Sequence, residues 1–232
     1  MRIPVVLYED NHLLVVNKPT GMLVQGDSSG DECVLDLMKT FVARRDVKPG
    51  KVFMGLPHRL DRPVSGVLVL AKTSKALSRL SASFREREVR KIYWAVVCNS
   101  PGENSGVLVD WLRKDERTNT SRWVKAGSAG SKEAQLHYCV LASSKRYWLL
   151  ELELYTGRHH QIRAQLSAKG CPIKGDLKYG ANRSNRGGGI HLHARRLIIP
   201  HPVKAISVEV TAPLPEDSVW KLFAVDFDGD SR

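Results

Sequence analysis

The strongest constraint on the fold lies in residues 58–72, which read HRLDRPVSGVLVLAK. Charged residues open this stretch, and a proline followed by a Ser-Gly pair then favours a turn. The apolar run 67–71 that comes next is typical of a buried strand. The stretch therefore predicts that Asp61 is a carboxylate held among cations at a turn that leads into a core strand.

Arg59 and Arg62 lie close to Asp61 in the sequence, and such neighbours favour the charged form of a carboxylate. A turn anchored on a buried strand would also fix the direction in which Asp61 points. A rigid, ionised carboxylate suits a nucleophile better than a proton donor. On composition alone, a surface cluster of ion pairs ahead of a core strand is the commoner interpretation of such a stretch.

The charge balance indicates a polyanionic partner. The 232 residues include 36 Lys and Arg against 24 Asp and Glu, a formal net charge of +12. Such an excess favours nucleic acid before a membrane surface, although a merely soluble basic protein is the alternative. The length fits one large domain or two small ones, with enough apolar residues for a core.

The cysteines and the termini bear on compartment and metal content. The four cysteines are far apart and form no C-x-x-C pair, so we expect free thiols, an intracellular protein and no structural zinc. The first residues lack the pattern of a signal segment, and no apolar run approaches the roughly twenty residues that span a bilayer. These features predict a cytoplasmic protein without a membrane segment.

Strands with short connections dominate the rest of the chain. Two short apolar runs separated by a polar turn predict a hairpin over residues 5–17. Apolar residues at helical spacing predict one helix over 33–42 and another after Ser74, which can cap it. Residues 113–132 are polar and rich in Gly and Ser, and they predict an exposed loop or hairpin. Further strands are expected at 90–98, 134–142 and 147–155.

A second charged cluster follows the last of these strands. Residues 155–163, YTGRHHQIR, predict a strand end, a glycine turn and the start of a helix that continues to 169. Main-chain N–H groups at a helix start bind anions, and Arg158, His160 and Arg163 add positive charge. A basic helix start on the surface is the alternative interpretation.

Several of these motifs together resemble the RluA family of pseudouridine synthases. The resemblance covers residues 5 to about 220, and it rests on motifs in the expected order: YEDNHLLVVNKPTGMLV, HRLDRPVSGVLVLAK, KIYWA, TGRHHQIR with PIKGDLKYG, and LHA followed by HP. Pro63-Val64 and Ala164-Gln165 depart from the commonest family pattern. The resemblance implies an α+β pseudouridine synthase fold with a large, mainly antiparallel mixed sheet flanked by helices and loops.

The resemblance also implies an activity and its residues. Asp61 would be the catalytic aspartate, Tyr93 would stack on the flipped uracil, and Arg163 would form a salt bridge with Asp61. No cofactor and no metal are implied. Residues expected to bind the RNA substrate are His58, Arg59, Arg62, Arg158, His160 and Gln161, with Arg59 also a candidate to fill the gap left by the flipped base.

Two other function classes stay open from the sequence. A non-catalytic RNA-binding protein on the same fold would keep the basic surface but lose Asp61, Tyr93 or Arg163, and all three are present. A metal-dependent nuclease could use Asp61 with His191 and His193, which share one face of a predicted strand. Without a third ligand at a suitable spacing, packing and hydrogen bonding are the favoured roles of the two histidines.

The expected organisation is a single catalytic domain over 1–232, with 221–232 as a frayed tail. We expect a structured RNA, ribosomal or transfer, as the partner, no obligatory protein partner, and a monomer. The sequence does not assign the target uridine, the route by which Asp61 acts, or the roles of the loops at 113–132 and 181–189.

Overall fold

The structure is a computed structural model that describes residues 3–47 and 50–224. The chain forms two compact units. The first contains the residues up to Arg90 together with Ala194–Pro213, and the second contains Lys91–His193 and the chain from Leu214 onward. Of the predicted frayed tail, 225–232 lie outside the described residues, while 221–224 belong to a helix. That 1–232 acts as a single catalytic domain stays a prediction.

Ten strands and four α-helices are formed by the described residues, with one 3-10 turn at Leu177–Tyr179. In chain order they are β1 Val5–Glu9, β2 Leu13–Lys18, α1 Val34–Arg45, β3 Ser65–Ala71, α2 Ser74–Glu86, β4 Arg90–Val97, β5 Ser105–Asp115, β6 Thr120–Val124, β7 Lys132–Ser143, β8 Trp148–Leu154, α3 Gln161–Ala168, β9 Leu192–Pro200, β10 Ser207–Thr211 and α4 Ser218–Ala224.

The first unit is built on strand β3, in which every residue is buried. Its neighbour β2 runs antiparallel to it, with Val15 opposite Val69, and β1 completes the predicted hairpin with β2. Apolar side chains of β2 and β3 pack against Ala76 and Leu80 of α2. Burial of this apolar face is what holds the motif that precedes β3 in a fixed place.

The start of α2 corrects one sequence-based expectation. Ser74 was expected to cap the helix, but Thr73 does so, since its side chain accepts a hydrogen bond from the Ala76 N–H at 3.1 Å. A cap residue needs an extended main chain, and Thr73 has it, with φ −138° and ψ 153°. Ser74 is already the first residue of the helix.

The Ser-Gly pair of the central motif has a steric role. Gly66 has φ 112°, in the region that favours glycine, and a side chain there would collide with the main chain of Ala194 on β9. Strand β9 follows β3 in the sheet order of this unit, and β10 pairs with β9. A glycine is therefore required for the close approach of β9 to the start of β3.

The second unit has the strand order β4-β8-β7-β5-β6, and all its pairs are antiparallel. Strands β5 and β6 form a hairpin, which confirms the hairpin form of the prediction for 113–132. Helix α4 packs Trp220 and Phe223 against Trp94 and Leu149. Mainly antiparallel strands flanked by helices confirm the α+β class. No helix within the described ranges is long and apolar enough to cross a membrane.

Candidate active site

Asp61 lies in the turn that leads into β3, in the first unit. The main chain beside it is bound to the loop that follows β2. The Gly21 N–H donates to the Arg62 carbonyl at 2.9 Å, the Arg62 Nε donates to the Gly21 carbonyl at 3.0 Å, and the Thr20 hydroxyl donates to the Pro63 carbonyl at 2.8 Å. These bonds fix the main chain that carries Asp61, as expected for a rigid carboxylate.

Lys18, at the end of β2, is the buried cation beneath this turn. Its side chain is 0% exposed, and its Nζ donates to the carbonyls of Pro19 at 3.0 Å, Met22 at 2.8 Å and Arg62 at 3.1 Å. Burial lowers the pKa of Lys18 from 10.5 to about 7, opposed by the charge of Asp61 and assisted by that of Arg62. Lys18 thus joins both sides of the turn and lies within electrostatic reach of Asp61.

His58 is held within the first unit. Its Nε2 accepts a hydrogen bond from the Val69 N–H of β3 at 3.1 Å, and its ring stacks on Phe84 of α2 with the centroids 4.7 Å apart. The bond makes Nε2 an acceptor, so any ring proton resides on Nδ1 in the neutral form. A part in substrate binding stays a prediction for His58, whose contacts with Val69 and Phe84 connect the motif to β3 and α2.

Arg59 and Arg62, the two arginines of the motif, are exposed. The Nη1 of Arg59 lies 3.5 Å from the Gln25 Oε1. Arg62 forms an ion pair with Asp31 at 2.8 Å, in addition to its bond with the Gly21 carbonyl. Arg62 is therefore restrained on the surface. Both arginines carry their positive charge within two positions of Asp61 in the sequence.

Tyr93 lies in the second unit, on β4. It is opposite Leu152 of β8 and is partly exposed, whereas its neighbours Ile92 and Trp94 are buried. The Trp94 indole N–H donates to Glu151 at 3.1 Å. The alternation of the strand thus gives Tyr93 the more accessible face, which suits a residue that contacts a base, although that contact stays a prediction.

The predicted glycine turn before α3 is organised by Gln161, which is 3% exposed. Its Oε1 accepts from the Thr156 hydroxyl at 2.7 Å and from the Arg158 N–H at 3.0 Å, and its Nε2 donates to the Gln135 carbonyl at 3.1 Å. The side-chain amide of Gln161 is thus used to shape the turn. Its contact with RNA stays a prediction.

Arg158 and His160 flank the same turn. The Nε of Arg158 donates to the Glu133 carbonyl at 2.7 Å, and the side chain is partly exposed. His160 precedes α3 with φ 51°, and its ring stacks on His159 with the centroids 3.8 Å apart. Burial, and after it the charge of Arg163, lowers the pKa of His160 from 6.5 to about 2, so His160 is neutral at physiological pH.

Arg163, on the buried face of α3, forms a two-bond pair with Asp176. Its Nε donates to the Asp176 Oδ2 at 2.7 Å and its Nη2 to the Oδ1 at 2.8 Å, and both side chains are buried. The guanidinium carbon lies 4.8 Å from the centre of the Tyr179 ring. The expected salt bridge between Arg163 and Asp61 stays a prediction, while Asp176 is a partner that the sequence motifs did not assign.

The two histidines of the nuclease alternative differ in their surroundings. The Nδ1 of His191 lies 2.9 Å from the Asn185 Nδ2 and its Nε2 lies 3.2 Å from the Asp217 Oδ1, so both ring nitrogens are engaged. His193 is buried and its ring lies edge-on to Trp220. Among the residues that the structure describes, no group of three or more His, Cys, Asp or Glu side chains is arranged to hold a metal.

Each unit assembles part of the predicted site. The first brings Asp61 together with Arg62 and Lys18, and the second brings Arg158, His160, Gln161 and Arg163 into one short region. The sequence motifs contained further residues whose roles were not recognised: Lys18 in NKPTG, and Asp176 and Tyr179 in PIKGDLKYG. The only indication of a role for these three residues in the sequence is that they belong to these motifs.

Comparison with known proteins identifies a matching family model. Residues 12–168 match the model described as RNA pseudouridylate synthase. A protein of Vibrio vulnificus named ribosomal large subunit pseudouridine synthase C is 34% identical over 217 residues, which cover 91% of this chain and 66% of that protein. The chain thus spans just under two thirds of the length of this relative.

A second relative and a solved structure agree with this match. The ribosomal large subunit pseudouridine synthase D of Yersinia pestis is 34% identical over 238 residues, covering 96% of this chain and 71% of that protein. The structure of human RNA pseudouridylate synthase domain containing 4 superposes with a TM-score of 0.80 and 28% identity, covering 96% of this chain and 93% of that one. The fold expected from the motif resemblance is confirmed.

Proposed function

Because the chain belongs to the RNA pseudouridylate synthase family, we propose that it isomerises uridine to pseudouridine in a structured RNA, with Asp61 as the catalytic residue. The observation that carries the proposal is that hydrogen bonds hold the turn containing Asp61 in place. The main chain on its C-terminal side is bound to the Lys18–Met22 loop by several hydrogen bonds. Such restraint supports a catalytic role, because a catalytic carboxylate must be positioned accurately against the reacting atom of the substrate.

The proposed reaction breaks the bond between N1 of uracil and C1′ of ribose, rotates the base and joins C5 to C1′. The proton on C5 leaves and N1 ends with a proton, so the atoms balance without a redox partner. A carboxylate serves either as the nucleophile at C1′ or as the group that takes a proton from the sugar. Asp61 fits both routes.

The other residues act on the base and on the carboxylate. In this proposal Tyr93 stacks on uracil after the nucleotide has been turned out of its helix, and Arg163 keeps Asp61 ionised and oriented. Extrusion is required because a stacked base is out of reach of a side chain. His58, Arg59, Arg62, Arg158 and His160 are proposed to contact the RNA, with Arg59 filling the gap that the base leaves.

We propose ribosomal RNA before transfer RNA as the substrate. The Vibrio and Yersinia relatives are named for the ribosomal large subunit, and the net charge of +12 suits a polyanion. Such a substrate implies a cytoplasmic protein. The single catalytic domain predicted from the sequence is proposed to act on it without a further protein.

The test uses ribosomal RNA fragments and transfer RNA that carry tritium at C5 of uridine, with EDTA and without cofactor. We expect the wild-type protein to release tritium to water, and we expect Asp61→Asn to release none while RNA affinity stays within about threefold. Continued release by Asp61→Asn would overturn the assignment. In a parallel reaction with magnesium or zinc and without EDTA, shortening of the RNA that EDTA abolishes would instead establish the nuclease alternative.

A further inference from the structure

We propose that Tyr179 is a positioning residue for Arg163, holding its guanidinium group in place. The inference rests on the proposed function for the part that Arg163 plays in the reaction. The contacts themselves lie within the second unit and do not depend on that function. The sequence motifs assign no role to Tyr179.

Two side chains of one short segment restrain Arg163 from different directions. Asp176 accepts hydrogen bonds from the Nε and Nη2 of Arg163, and the guanidinium carbon lies over the ring of Tyr179, three residues later, at 4.8 Å from the ring centre. The two-bond pair fixes the direction of the Nε and Nη2 side of the group, and the ring beside the guanidinium carbon limits its movement on another side. Together they determine where the remaining nitrogen, Nη1, lies.

The segment that carries both residues is itself closed by main-chain bonds. The Tyr179 N–H donates to the Asp176 carbonyl at 3.0 Å, and the Ala181 N–H donates to the same carbonyl at 3.0 Å. Asp176 and Tyr179 therefore move as one body. A displacement of this turn would move both restraints on Arg163 at the same time.

The hydroxyl group of Tyr179 holds the ring in place. It accepts a hydrogen bond from the Ser121 N–H of β6 at 2.7 Å and lies 2.8 Å from the His160 Nδ1. Its own proton can point to Nδ1, which is an acceptor in the neutral ring with the proton on Nε2. The low pKa of His160 agrees with that neutral form.

His160 belongs to a wider polar cluster that ties β6 to the start of α3. The Ser121 hydroxyl lies 3.0 Å from the His159 Nδ1, and the rings of His159 and His160 are stacked. Tyr179 therefore connects two elements, the β5–β6 hairpin through Ser121 and α3 through both His160 and Arg163. A residue that only filled the core would not need these directional bonds.

The test compares Tyr179→Phe with Tyr179→Leu. Phenylalanine keeps the ring over Arg163 and loses the hydroxyl bonds, whereas leucine loses both. Tyr138→Phe is the matched control, because Tyr138 is also buried in this unit and its ring also carries a cation, the Lys169 Nζ at 5.3 Å. Single-turnover tritium release gives the rate of the chemical step, and filter binding gives RNA affinity.

We expect the chemical step to slow by about tenfold in Tyr179→Phe and by roughly a hundredfold in Tyr179→Leu, since a misplaced group costs about that much. RNA affinity should change by less than about threefold, and the control should match the wild type. A wild-type rate in Tyr179→Leu would overturn the inference. A rate that falls in Tyr179→Leu only as much as the fraction of active protein falls would overturn it too, because the active molecules would then react at the wild-type rate.

A second measurement does not need activity. The Arg163 Nε–H, assigned in a ¹⁵N NMR spectrum through its loss in Arg163→Lys, should exchange slowly with water in the wild type and in Tyr179→Phe, and rapidly in Tyr179→Leu. Unchanged slow exchange in Tyr179→Leu would refute the positioning role. If the wild-type protein released no tritium from any RNA, the proposed function would fail while this measurement still decided the inference.

Discussion

The ammonium group of Lys18 donates a hydrogen bond to the main-chain carbonyl of Arg62 at 3.1 Å, although the two residues are 44 positions apart. Lys18 is completely buried and also donates to two carbonyls of its own loop. A buried cation with main-chain partners is costly to keep charged, and its pKa falls to about 7. The turn that carries Asp61 therefore rests on a group that titrates near neutral pH.

This titration predicts a pH dependence of stability. Below pH 7 Lys18 is protonated in both the folded and the unfolded state. Between pH 7 and its unfolded pKa of 10.5 only the unfolded state binds the proton, so the free energy of unfolding should rise with pH by up to about 1.4 kcal/mol per unit. The cost of burying the charge is thus present at low pH and is relieved as the pH rises.

The comparison is the wild type against Lys18→Gln, which keeps hydrogen-bond donors and removes the charge. Urea unfolding between pH 6.5 and 10 should show the wild type gaining stability relative to Lys18→Gln. Lys75→Met serves as the control, because Lys75 is exposed on α2, and its curve should run parallel to that of the wild type. Parallel curves for Lys18→Gln as well would show that Lys18 does not lose its proton in this range.

Sequence patterns predicted the elements of the fold because those elements depend on local periodicity. The apolar run before Lys72 gave β3, and the helical stripe after Cys33 gave α1. Details that depend on the main-chain angles of single residues are harder to predict from the sequence. Thr73 and Ser74 are both good cap residues, and the extended conformation of Thr73 decides between them.

The partners of the site residues were harder to predict than the site residues themselves. The pair between Arg163 and Asp176 joins residues 13 positions apart on a helix and a loop, and nothing in the spacing required it. Nothing in the sequence distinguishes Lys18 from an ordinary lysine at a strand end, because its partners are carbonyl groups, which every residue carries. Contacts made by the main chain leave no trace in the identity of the accepting residue.

The second prediction concerns the glycine that begins the close approach of β9 to β3. In Gly66→Ala the new methyl group would collide with the main chain of Ala194, in a conformation that already disfavours a side chain. Main chain cannot move aside as a flexible side chain can, so we expect a loss of about 3 kcal/mol or more in the free energy of unfolding.

Gly30→Ala is the matched control for this substitution. Gly30 also has a positive φ, 73°, but it is exposed and a methyl group there would meet no atom within 4 Å. Its loss should be about 1 kcal/mol, which measures the conformational penalty alone. Equal losses at Gly30 and Gly66, measured by urea unfolding, would show that β9 does not restrict the start of β3.

The last prediction concerns the positive charge. Each Lys or Arg that contacts a phosphate releases counterions, so RNA affinity should fall steeply as salt rises, with a slope of roughly 0.7 to 0.9 per contact on logarithmic axes. Arg59 is exposed beside the turn of Asp61, and Arg59→Gln should reduce the slope by about one contact.

Arg45→Gln is the control, because Arg45 is already paired with Glu9 at 2.6 Å and with Asp46 at 2.7 Å. Filter binding at several salt concentrations should give Arg45→Gln the wild-type slope. A flat salt response of the wild-type protein would show that its net charge is not used to bind RNA, and equal slopes for wild type and Arg59→Gln would remove Arg59 from the phosphate contacts.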